Sequence, residues 1–133
     1  MIGKFTIDSA SNAHVVHDKS ILENYVQLDN PIEIKFNCPE SYMATAIGYG
    51  TIPILVSFKK NETIITLNKV YFDPRAQHQI ISANAFSKQF DSEIILSMKS
   101  GHIVRRNVRH RLANLEVING IYWLPARTLS DYK

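Results

Sequence analysis

Apolar and polar positions alternate in short runs along most of the chain, and turn residues separate the runs. Ile32, Ile34 and Phe36 flank Glu33 and Lys35, the period-two pattern of a half-buried strand. Thr51 to Phe58 and Thr63 to Tyr71 are rich in β-branched and apolar residues. The polar Lys59-Lys60-Asn61-Glu62 between them predicts a hairpin turn. Ile94 to Met98 and Ile103 to Val108 read as two further strands joined across Lys99-Ser100-Gly101-His102. Asn119-Gly120 stands between two apolar runs, Leu115 to Ile118 and Ile121 to Leu124. These two residue types enter the left-handed region cheaply, so a tight two-residue hairpin is expected there.

Helix signals are few. Asp18 is placed to cap a helix over Lys19 to Tyr25, with Ile21, Leu22 and Tyr25 at helical spacing, and Ser82 to cap a short one over Ala83 to Lys88. No segment sustains a 3.6-residue period, and no repeat or linker is visible. The pattern predicts a mostly-β domain of short strands, a barrel or a sandwich, with one short helix or two. Residues 126–133 are expected to form a polar C-terminal tail after a domain spanning residues 1–125.

The 133 residues are about one domain's worth of sequence. With 45% hydrophobic and 20% charged residues the chain is too apolar for disorder. No apolar run approaches the ~20 residues that span a bilayer, and Met1 to Phe5 lacks the apolar stretch of a secretory signal. A single cysteine, Cys38, excludes an internal disulfide framework and a cysteine-rich zinc site. A reducing, cytoplasmic setting is therefore expected. The net charge of +3 carries little information about a polyanionic partner.

Four places offer candidate chemistry. Asp8 follows the apolar strand Lys4 to Ile7, where a carboxylate meets water beside apolar walls and can serve as an acid or base; a turn cap is the plainer alternative. His14 and His17 suggest metal ligands, but the nearest cysteine is twenty-one positions beyond His17, and residues three apart on a strand face opposite ways. No metal and no cofactor is expected. Arg105, Arg106, Arg109 and Arg111 form a basic patch able to contact phosphates. Little aromatic interleaving argues against a nucleic-acid partner, and a charged edge strand is the simpler account. Cys38 has no histidine beside it and is read as a buried or loop thiol.

Taken in order, these segments resemble the aspartic protease region of copia-type retrotransposon polyproteins, the group that includes the yeast elements of that class. That family begins with a strand and Asp-Ser-Gly-Ala-Ser-x-His, matched here by Asp8-Ser9-Ala10-Ser11-Asn12-Ala13-His14. Its short helix is matched by Lys19 to Tyr25, and its G-x-G bend at the end of the flap hairpin by Gly48-Tyr49-Gly50-Thr51. Val70-Tyr71-Phe72-Asp73-Pro74 running to Gln79-Ile80-Ile81-Ser82 resembles a further block, and Asn119 to Leu124 the terminal one. The likeness extends from Phe5 to Leu124.

The resemblance implies a retropepsin-like acid protease barrel. Such chains carry one Asp-Ser/Thr-Gly each, so the active site forms between two copies and the expected assembly is a homodimer acting on a polyprotein peptide. Asp8 would be each subunit's acid and base, and Ser9 would bond across the interface. Asn37, Cys38, Pro39, Glu40, Ser41 and Tyr42 would form the flap over substrate. This chain departs from the family where Ala10 replaces the glycine, close to both carboxylates. A methyl forced into such a contact costs ~1–3 kcal/mol, and a shift of about 1 Å at the chemistry can cost ~100-fold in rate. Ser11 in place of alanine adds a hydroxyl that needs a partner if buried. The expectation is a degenerate copy that keeps the fold and has little or no peptidase activity. The early start at Met1, and the lack of a downstream His/Cys site of integrase type, read as a detached fragment of such an element. A retroelement-derived β-domain that dimerises or binds a partner or nucleic acid is the alternative.

Overall fold

The computed structural model describes residues 2–9, 11–106 and 111–128. Ten strands form one connected sheet: β1 (Ile2–Asp8), β2 (His14–Val16), β3 (Glu23–Phe36), β4 (Tyr42–Phe58), β5 (Asn61–Phe72), β6 (Ile80–Ser82), β7 (Ser92–Leu96), β8 (Gly101–Arg105), β9 (Arg111–Ile118) and β10 (Ile121–Thr128). One helix, α1 (Ala83–Phe90), follows β6. The strand order is β3-β4-β5-β2-β6-β1-β10-β9-β8-β7, and a further pairing of β10 with β4 closes the six strands from β4 to β10 in that order into a barrel. The mostly-β class, the barrel and the short helix agree with the sequence pattern.

The centre of the barrel repeats itself. β1 runs parallel to β6, with Thr6 opposite Ile80, Ile7 opposite Ile81 and Asp8 opposite Ser82. β5 runs parallel to β2, with Tyr71 opposite Val15 and Phe72 opposite Val16. β2 and β6 meet antiparallel where Val15 faces Ile80. The step of 65 residues from Val15 to Ile80 also carries Thr6 onto Tyr71 and Ile7 onto Phe72, turning one parallel ladder into the other. An approximate two-fold axis therefore passes through the Val15–Ile80 pair, and the same step carries Asp8 onto Asp73. Each aspartate follows the last apolar residues of its strand.

Alternation along these strands fills the interior with Phe5, Ile7, Val16, Ile52, Ile54, Leu67, Val70, Ile81 and Leu124, all buried. Ser82 caps α1 by accepting the Ala85 N–H at 3.1 Å, and Phe86 drops from α1 into the core. Asn119 and Gly120 take φ values of 52° and 77°, as the tight hairpin between β9 and β10 requires.

Four expectations need correction. The helix over Lys19 to Tyr25 is a single 3-10 turn, Lys19–Ile21, capped by Asp18. Leu22 is extended and Asn24 is left-handed at φ 54°, so the chain leaves the helix and Tyr25 lies in β3. Gly48 and Gly50 make no bend; they lie within β4, where β3 crosses closely. A Cβ on Gly50 would stand 2.7 Å from the Glu23 carbonyl oxygen, and one on Gly48 would strike the Tyr25 ring. Arg105 and Arg111 belong to β8 and β9, which are inner strands, so they do not guard an edge. Ala126 to Thr128, expected in a polar tail, continue β10 and pair with β1 and β4.

Candidate functional site: a buried carboxylate beneath a hairpin

Asp8 ends β1 with 1% of its surface exposed. Its Oδ1 accepts the Ser11 N–H at 3.3 Å, and its Oδ2 accepts the N–H groups of Asn37 at 2.9 Å and Cys38 at 3.3 Å. A buried carboxylate needs such donors, because desolvation without them is costly. The donors come from its own loop and from the turn joining β3 to β4, so the aspartate fastens the hairpin to the barrel.

The loop after Asp8 is held from below. The Ser11 hydroxyl donates to the Ala13 carbonyl at 3.0 Å, which gives that buried group its partner. Ser82, the α1 cap, donates its hydroxyl to the Ser11 carbonyl at 2.7 Å, and its N–H donates to His14 Nδ1 at 3.0 Å. An accepting Nδ1 places the imidazole proton on Nε2, which is buried without a hydrogen-bond partner. Burial lowers the His14 pKa from 6.5 to about 4. The half-exposed Cys38 thiol is shifted the other way, raised by burial and then by the negative charge of Asp8, which disfavours the thiolate.

Asp73, the internal counterpart of Asp8, does the same work on the other side of the hairpin. It is 3% exposed. Its Oδ2 accepts the Thr45 N–H at 3.0 Å and lies 3.5 Å from the Tyr42 hydroxyl, while Oδ1 accepts the Arg75 N–H at 2.9 Å. Residues 37–45 are therefore tied down by two symmetry-related carboxylates. Asp73 was not among the residues singled out from sequence for chemistry. Its signal was present in Phe72-Asp73-Pro74, an aspartate ending an apolar strand as Asp8 does in Ile7-Asp8-Ser9.

Of the other residues singled out from sequence, Ser9 is exposed and Ala10 lies outside the described residues. Pro39 is half-buried, Ser41 is exposed, and exposed Glu40 stands 3.8 Å from His78 Nε2. Beside the Asp8 loop a cleft of about 630 Å³ opens between Ser11, His14, Ile34, Lys35, Asn37 and Lys69. Arg105 is exposed, and Arg106 faces Asp91 at 3.4 Å and Glu93 at 3.6 Å. Arg109 lies outside the described residues. Among the described residues no three His, Cys, Asp or Glu side chains gather as a metal site, and no helix is long and apolar enough to cross a membrane.

A family model described as "Pol polyprotein, beta-barrel domain" matches residues 5–90. The chain belongs to that family. As a Pol β-barrel domain it is a retroelement polyprotein module, and the matched span runs from β1 to the last residue of α1. That span holds both parallel ladders, both buried aspartates and the hairpin they fasten. β7 to β10 lie beyond it, although β10 completes the barrel. No curated protein and no solved structure matches the chain.

Proposed function

We propose that this Pol β-barrel domain is a retropepsin-like barrel whose aspartyl loop now serves as a structural clasp, with little or no peptidase activity. The observation behind this reading is the coordination of Asp8. Three backbone amides from its own chain already donate to its two oxygens. An aspartic dyad needs two carboxylates from two chains to share a proton and hold a water. A carboxylate engaged by its own hairpin has little acceptor capacity left for either. Ala10 in the family's glycine position works in the same direction, by the steric reasoning given for the sequence. The copia-type ancestry and the flap role of residues 37–42 are part of this proposal. So is the homodimer that an active site would need.

The test is cleavage of peptides copied from the polyprotein junctions, at pH 4 to 7, with sedimentation run in parallel. Wild type is expected to match the background of Asp8→Asn. Turnover by wild type that disappears in Asp8→Asn overturns the proposal. Turnover by Ala10→Gly alone, accompanied by dimer formation, places the lesion at that methyl.

A further inference from the structure

The fold gathers cations that the sequence keeps apart. Lys59 and Lys60 form the turn between β4 and β5, and Arg111 opens β9 more than fifty positions later. In the folded chain Lys59 and Arg111 meet at Phe58, and Lys60 is the next residue of the same turn. The Arg111 guanidinium lies 5.3 Å from the centre of that ring, and Lys59 Nζ lies 5.4 Å from it. Arg111 also lines a pocket of about 280 Å³ with His102 and Arg106. Its charge is felt there, because together with the larger effect of burial it lowers the pKa of His102.

The nearby acids are already engaged. Glu62 lies 3.8 Å from Arg127, while Asp91 and Glu93 face Arg106. Among the described residues Lys59, Lys60, Arg105 and Arg111 form no ion pair. Lys59 and Lys60 are exposed and Arg111 is half-exposed, so the uncompensated charge of this face is positive.

We infer that this face binds the phosphodiester backbone of a nucleic acid, with Lys59, Lys60 and Arg111 as its contacts. Two cations already crowd the ring of Phe58, so it offers no platform for base stacking. Recognition then rests on phosphate and is independent of sequence and steeply dependent on salt. Taken alone, the arginine run argued for a charged strand. What changes the reading is the convergence of a second basic turn on Arg111, and this inference does not depend on whether Asp8 is catalytic.

The experiment is fluorescence anisotropy of a labelled single-stranded RNA of mixed sequence with the full chain, across a salt series. The comparison is between Lys59→Ala/Lys60→Ala/Arg111→Ala and the control Lys19→Ala/Lys88→Ala/Lys99→Ala, which removes the same charge elsewhere. Circular dichroism confirms that both variants are folded, and Arg111→Lys, which keeps the charge, should bind nearly as wild type. The first triple variant should bind about tenfold or more weakly at low salt, and its log–log salt slope should flatten by about 2, near 0.7 for each lost phosphate contact. An equal loss in the control triple overturns the assignment of the face. So does no binding by wild type at low salt, or binding to phosphatidylserine vesicles without binding to RNA.

Discussion

Asp8 combines near-complete burial with three backbone amide donors, so its charge has a structural use that can be measured apart from any catalysis. Asparagine fills the same space but turns one acceptor oxygen into a donor. Whichever oxygen is lost, an amide of the loop or of the hairpin then faces an NH2 group. The expected loss on Asp8→Asn is about 1–3 kcal/mol, read as a lower urea midpoint; an unchanged midpoint would show that the clasp holds nothing. His14 gives a second residue-level prediction. Its pKa is 6.5 unfolded and about 4 in the barrel. As pH falls through that window the unfolded chain binds the proton first, so stability present at pH 7 declines between pH 6.5 and 4 and then levels off. The decline is roughly 3 kcal/mol by the linkage relation. His14→Asn keeps an acceptor for the Ser82 N–H and removes the titration, so its unfolding free energy should lose that slope. A slope equal to that of wild type would place the titrating group elsewhere.

At the scale of the elements, local chemistry was legible wherever one residue type has one use. Asn119-Gly120 marked its hairpin, Ser82 marked the start of α1, and a run of β-branched and apolar residues located β5 to within two residues at its start. It failed where a distant strand decides. Ile21, Leu22 and Tyr25 have helical spacing, yet pairing with β4 draws Tyr25 into β3. The glycines at 48 and 50 were visible as a motif, but their purpose is the close passage of β3, which spacing does not encode. They should also respond differently to substitution. At Gly50 a methyl meets backbone, the Glu23 carbonyl, so β3 itself must move; Gly50→Ala should cost about 1–3 kcal/mol. At Gly48 the obstacle is the outer edge of the Tyr25 ring, a side-chain tip that can swing away at the cost of its bond to Gln27. Gly48→Ala should therefore cost less than Gly50→Ala, and less again in a Tyr25→Ala background. Thermal melts of the four proteins against wild type decide it, and equal losses at both glycines would contradict the packing described.

The closure of the barrel is a property of the whole molecule, and the sequence hid it for a physical reason. Ala126, Arg127 and Thr128 lack a strong apolar alternation, so they read as a tail. Their backbone nevertheless pairs on both sides, with Ile2 and Gly3 of β1 and with Ile54 and Leu55 of β4. Backbone pairing leaves little trace in side-chain pattern, and the same is true of the two-fold repeat, whose halves share register and a terminal aspartate. The end of β10 is thus the seam of the ring. Removing residues 126–133 should open it, leaving N–H and C=O groups of β1 and β4 unpaired and uncovering the buried faces of Ile54 and Leu55. At about 1 kcal/mol for each lost hydrogen bond, with the exposed apolar surface added, the loss should be roughly 3 kcal/mol or more. Arg127→Ala is the contrast, because it keeps the strand and removes a half-exposed ion pair with Glu62. Exposed pairs contribute up to about 1 kcal/mol, so that variant should stay close to wild type. Urea titrations of both proteins separate backbone closure from side-chain charge. If the truncated chain unfolds at the wild-type midpoint, the six strands are held together without their seam, and β10 is an attachment to the family's core rather than part of its wall.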